Sequence, residues 1–183
     1  MEEDRMDTGK MIKERHELLT RLKDSLQEEM IACEIHEPEN KEEPEILTVL
    51  LDTVGDEERE GAAGEFFFMP FTTGEDRVQY FCAVLTLMDD IPEENLPALY
   101  EAMSHINFAL PCGSYSVDRE GRFLTYKLTV PLPAELQGDA LYDEMNICVS
   151  NAVNTADAYA DILIKISCGE VSYDPVGLFG NNE

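Results

Sequence analysis

The stretch Val78–Met88, VQYFCAVLTLM, constrains this 183-residue chain more than any other, because both of its alternation sets are apolar. A strand with one wet face carries a polar residue at every second position. Here Phe81, Ala83, Leu85 and Leu87 oppose Tyr80, Cys82, Val84, Thr86 and Met88. In 46–54 (ILTVLLDTV), Leu47, Val49 and Leu51 likewise oppose Ile46, Thr48 and Leu50. Strands of this kind are covered on both faces. Either the chain's own helices divide between the faces, or they crowd one face and leave the other to a second subunit or a client protein. Tyr80, Cys82, Val84, Thr86 and Met88, with Thr48 and Leu50, are therefore the candidate partner or dimer interface.

The rest of the chain supplies the helices. Over 10–32, Ile12, Leu19, Leu22, Leu26 and Met30 recur at steps of three, four or seven, which predicts an amphipathic helix. The run EIHEPENKEEPE at 34–45 has two prolines and little to pack, and reads as a solvated loop. After the strand at 46–54, the segment DEEREGAAG reads as a charged turn, and 66–71 (FFFMPF) as a second strand ended or edged by Pro70. The segment TTGEDR then leads into the third strand.

A second helix begins near Pro92, with Leu96, Leu99, Met103 and Ile106 at helical spacing, and breaks at LPCG. Alternation at Tyr115 and Val117, then at Leu124, Tyr126, Leu128 and Val130, predicts a hairpin across DREG that ends at Pro131 and Pro133. A final helix from Asp139 carries the stripe Leu141, Met145, Cys148, Ala152, Thr155, Tyr159, Leu163 and Ile166, and Gly169 closes it. The order is α-β-β-β-α-β-β-α, an α+β fold with an antiparallel sheet of about five strands. One domain spans 10–169, between a flexible N-terminus at 1–9 and a C-terminal tail at 170–183.

Charge narrows the partners. The chain holds 39 acids and 13 bases, a net charge of −26, with an isoelectric point near 4.2. Residues 1–60 carry 20 acids against 8 bases and residues 61–183 carry 19 against 5, so the excess is spread over the whole surface. Nucleic acid and anionic lipid both need basic side chains, and both are excluded as direct ligands. Five scattered cysteines argue against a disulfide framework, and MEEDRMDTGK lacks the basic and apolar regions of an export signal, so a cytoplasmic protein is expected.

No pattern of catalytic chemistry stands out. Neither glycine-bearing loop has a lysine or opens a helix as a phosphate cradle does, and no G-x-S-x-G elbow occurs; Cys-Gly-Ser at 112–114 reads as a turn. His16, His36 and His105 sit among polar neighbours, as solvated side chains do. Cys33 and His36 have the gap of a metal pair, but no second pair follows. Asp157 and Asp161 share a helix face, yet the calcium-loop pattern is missing. No metal site, cofactor or catalytic residue is assigned, and the expectation is a non-enzyme.

The segment LPALYEAMSHINFALPCGSYSVDREGRFLTYKLTVPLP resembles the YbjN-domain family, bacterial proteins with a fold like that of type III secretion chaperones. Asn107, Leu110, Gly113, Asp118, Gly121 and Tyr126 stand at the places of its pattern, which runs from a helix through a glycine-opened strand and an acidic turn to a second strand. Tyr159 and Gly169 in the final helix are also similar, and the element order fits over about 10–169. The acidic insertions at 34–45 and 55–64 depart from the pattern. The resemblance implies a non-enzymatic, homodimeric protein that binds or regulates other proteins, and it carries over no catalytic residue. The function expected is thus a protein-binding module, chaperone-like or regulatory, whose partner is a protein client or itself. A small-ligand or divalent-metal-responsive sensor built on the carboxylates is the alternative. An enzyme using His105 and Cys112 at the helix-strand junction comes third.

Overall fold

The computed structural model describes residues 8–38, 40, 43–52, 54, 61–73, 77–118, 120 and 122–173. Of the expected flexible N-terminus only 8–9 are described, and they open the first helix; of the expected tail, 170–173 are described. The turn at 74–76, most of the acidic insertion at 55–64 and Gly121 of the family-like pattern lie outside the described residues.

Ten elements follow in order: α1 (Thr8–Glu28), β1 (Cys33–His36), β2 (Ile46–Leu51), β3 (Ala62–Phe68), β4 (Val78–Met88), a single 3₁₀ turn (Glu93–Asn95), α2 (Leu96–Ala109), β5 (Ser114–Val117), β6 (Leu124–Pro133) and α3 (Gly138–Ser167). The strands form one antiparallel sheet in the order β1-β2-β3-β4-β6-β5. The α+β class and the helix order are as expected, with six strands in place of about five.

The added strand is β1. Inside the supposed loop, Cys33 and Ile35 turn inward and Glu34 and His36 outward, and the segment pairs with β2 from Cys33↔Val49 to His36↔Ile46. Two half-buried residues are enough for an edge strand of four. The helix before it stops at Glu28, short of the expected 32, because Met30 adopts a left-handed φ of 64°.

Strand β3 begins four residues earlier than expected. Gly64, read as part of a turn, lies in register between Val49 and Leu85, and a Cβ there would meet the Phe66 ring at 3.1 Å and Leu51 Cδ1 at 3.2 Å. The glycine makes room for its neighbours' side chains. Strand β6 runs through Pro131 to Pro133 and does not stop at Val130. Ala134 N donates to Arg77 O at 2.8 Å, so even-numbered residues here aim their N–H at β4 and odd-numbered ones aim outward. Beyond Lys127, the last residue paired with β5, that outward side is an edge, and the prolines leave no ladder bond unmade.

All three helices lie on one face. Leu18, Leu19 and Leu22 of α1, Leu99, Met103 and Ile106 of α2, and Leu141, Met145 and Leu163 of α3 join Leu47, Phe66, Phe81, Leu85, Tyr126 and Leu128 in a single core. The 30-residue α3, about 45 Å long, crosses β4 and β6 on Ala152, Ala156 and Ala160, each fully buried, and these small side chains let its backbone approach the sheet. Its first free N–H, on Gly138, donates to Glu14 Oε1 at 2.8 Å. Its end closes through Gly169 at φ 72°, with Gly169 N on Ile166 O and Glu170 N on Lys165 O, the paired bonds of a Schellman cap.

Residues of the family-like pattern form the α2-to-hairpin joint. Asn107 accepts from Tyr115 N at 2.8 Å and donates to Tyr115 O at 3.0 Å, as a strand partner would. The Tyr126 hydroxyl donates to Cys112 O at 3.0 Å, and Gly113 (φ 65°) passes so close that an added Cβ would lie 2.1 Å from that oxygen. Tyr115 sends its hydroxyl to the carbonyls of Thr155 and Ala156 in α3. Burial holds both phenols in the neutral form, Tyr126 pushed up to about 12 and Tyr115 well above the ordinary tyrosine range. Asp118 Oδ1 accepts from Glu120 N at 2.7 Å in the turn that follows. These residues hold helix, turn and strands in register.

Candidate interaction face

Among the described residues, no helix covers the other face of the sheet. Register places its side chains in rows: His36, Ile46, Phe67, Cys82 and Thr129; Glu34, Thr48, Glu65, Val84, Lys127 and Ser114; Leu50, Ala63, Thr86, Thr125 and Ser116. Tyr80 and Pro131 pair at one end. Of the expected interface residues, Tyr80, Cys82, Val84, Thr86, Thr48 and Leu50 share this face. Leu50 is 48% exposed, whereas Tyr80, Val84, Thr86 and Thr48 are half-buried among neighbours and no helix lies over them.

Met88 does not belong to that set. A β-bulge between Thr86 and Met88 sets Met88 opposite Leu124, a fully buried residue of the helix side, and Met88 packs against the core. One extra residue in a strand turns over every side chain after it. Strict alternation carried through 78–88 therefore misplaces Met88.

Three apolar residues join the face beyond those expected. Ile46 and Phe67 flank Cys82 in one row, and Phe71, 53% exposed, sets its ring 5.9 Å from that of Tyr80. Thr73 Oγ1 and Tyr80 Oη share a hydrogen bond of 2.8 Å, which fixes the tyrosine at the hairpin end. Phe67 is an alternate position of FFFMPF, and its register with Cys82 of β4 places it on this face. Cys82 is completely enclosed, with its Sγ 3.3 Å from Thr129 Oγ1, and serves as a small packed side chain. Among the rows the charged side chains are Glu34, Glu65 and Lys127, a sparse set on a chain whose charged residues make up 28%. The face is close to neutral, and its apolar residues lie around a central row that holds Glu34, Glu65 and Lys127.

The residues weighed for chemistry do not converge. His105 Nδ1 meets the Tyr173 hydroxyl, Cys112 offers its carbonyl to Tyr126, and His16 pairs with Glu45 at 2.7 Å. The Cys148 thiol is pushed up to about 11 by burial, which keeps it protonated and unreactive. Cys33, the metal-pair candidate, lies 3.6 Å from Lys23 O. Among the described residues no three His, Cys, Asp or Glu side chains gather as a set that could hold a metal ion, and no helix is long and apolar enough to cross a membrane.

No family model matches the chain, and no curated protein matches it at significance. The chain is similar to the crystal structure of YbjN from E. coli, described as a candidate transcription regulator, with a TM-score of 0.41 and 12% identity over 85% of this chain and 94% of that one.

Proposed function

We propose that this protein is a non-enzymatic protein-binding module, chaperone-like or regulatory, that pairs with a second copy of itself through the open face of its sheet. The observation that carries the reading is the placement of all three helices on one side, which leaves Leu50, Phe67, Tyr80 and Val84 with no helix over them among the described residues. An apolar patch in a strongly anionic surround is the kind of surface that interfaces use. Because the patch is nearly neutral, two copies can meet there without setting like charges against each other. A two-fold pairing would bring Lys127 of each copy toward the acids of the other's central row. The same face suits a client segment that displaces the second copy.

Light scattering and sedimentation on the full chain test this. A dimer is expected at micromolar concentration, and Val84→Glu is expected to dissociate it while leaving circular dichroism unchanged. A strict monomer at all concentrations and salt levels would overturn the dimer.

A further inference from the structure

Under α1, on the helix side of the sheet and away from the open face, lies a cleft of about 920 Å³, walled by Met11, Ile12 and Leu19 of the helix, by Phe68, and by Pro44 of the connection between β1 and β2. Its size and apolar walls are those of a small-molecule site. Among its lining residues Arg15 is the buried charged group. Arg15 is 8% exposed, with its Cζ 5.0 Å from the Phe68 ring centre. Its Nε donates to Gln79 Oε1 at 3.3 Å and its Nη1 to Met69 O at 3.0 Å, whereas Nη2 is buried without any partner.

This arrangement is costly. Neutral acceptors satisfy two edges of the guanidinium but leave its charge uncompensated, and an unpaired buried charge is strongly unfavourable. A chain with 39 acids has placed none of its described ones against it. Arg21, six residues on in the same helix, shows the ordinary solution: it pairs with Asp139 at 2.6 Å and stacks 3.8 Å over Tyr142 at the surface. Burial alone, with no offsetting acid, holds Arg15 down to about 10.

We infer that the cleft binds a small organic monocarboxylate with an apolar body, whose carboxylate takes the free edge of the Arg15 guanidinium and whose tail lies along the apolar walls. A modest turn of the guanidinium toward the cleft presents Nη2 and supplies the ion pair that the protein withholds. Glu37, Glu43 and Glu45 also line the cleft, and they oppose a dianion such as a phosphate ester more strongly than a monoanion. Of the other basic groups that line the cleft, His16 is held to Glu45 and Lys13 pairs with Glu17, so Arg15 is the described one that faces a ligand without an acid of its own.

Calorimetric titration and thermal shift of the full chain with octanoate, octanol and octylamine test the inference. Octanoate is expected to bind and to raise the melting temperature, with octanol at least about tenfold weaker and octylamine weaker still. Arg15→Met, which keeps the length of the side chain and removes its charge, is expected to erase the preference for octanoate over octanol. Octanol equal to octanoate, octylamine tighter than octanoate, no octanoate binding up to about 10 mM, or an unchanged preference in Arg15→Met would each overturn it. If Arg15→Met does not fold, the three ligands on the unaltered protein still decide. Val84→Glu is expected to leave octanoate binding intact, so this result stands apart from that of the dimer test.

Discussion

The two faces of the sheet are drawn from the same strands and similar residue types, yet they solve different problems. On the helix side every position from Leu47 across to Tyr126 is filled to near-complete burial, and apart from Arg15 Nη2 the polar atoms that enter are paired, as with Asn107 on the Tyr115 backbone, the Tyr115 hydroxyl on α3 carbonyls and the Tyr126 hydroxyl on Cys112. On the open side, apolar residues are interleaved with threonines and a few charges, and burial comes only from strand neighbours. An apolar residue in a strand therefore does not reveal which side is the core. The helices decide it, and they follow the side with the larger and more continuous side chains.

Substitutions can break this contrast. The largest effect is expected from Phe66→Ala on the helix side, a loss of about 3–5 kcal/mol by urea denaturation, because Phe66 is fully buried in the core. Next comes Asn107→Ala, which strands the Tyr115 N–H and carbonyl and is expected to cost about 1–3 kcal/mol. A cost near zero there would mean that water replaces the side chain. On the open side Val84→Glu is expected to alter the stability of the single chain by less than about 1 kcal/mol, while weakening self-association by at least about tenfold. Equal losses from Phe66→Ala and Val84→Ala would erase the distinction between the faces.

Alkaline pH sharpens it in another way. Tyr115, Tyr126 and Cys148, all on the helix side, hold their protons more tightly when folded, while the unfolded chain releases them from about pH 9 to 10. Their contribution is present in full below about pH 9 and is lost as pH rises through about 11 for Cys148 and about 12 for Tyr126. Arg15 runs the opposite way, its burial cost relieved above about pH 10, but it is one group against three. Urea midpoints are expected to fall above about pH 9, less steeply in Tyr115→Phe. The smallest expected effect is that of salt. Screening of a net charge of −26 should strengthen the dimer as sodium chloride rises, and dissociation with added salt would contradict the neutral-face pairing.

Much of this architecture could be read from residue order. The helices and β4 stand where periodicity put them, because long stripes and an eleven-residue apolar run leave few alternatives. Short-range compensation hid the rest. Strand β1 has two inward residues in an acidic stretch, Gly64 fills a packing position that looks like a turn, and the prolines of β6 fall where their missing N–H points to an edge. The open face was legible as an apolar surplus, but its membership was not, since a single bulge moved Met88 to the core. The cleft at Arg15 left no trace in the sequence, because a buried arginine on a polar helix reads like any other. Only the positions of Gln79, Met69 and Phe68, brought under α1 by the paired strands β3 and β4, make it unusual.

The sheet's outermost strands, β1 and β5, are four residues each. A row of free N–H and C=O groups that short gives a neighbouring chain little to add to, the edge of β6 beyond Lys127 is interrupted by Pro131 and Pro133, and β1 carries Glu34. Growth by strand addition, which would propagate without limit, is thereby discouraged, while stacking on the open face uses up the surface that creates it. On the proposed pairing, self-recognition would stop at two.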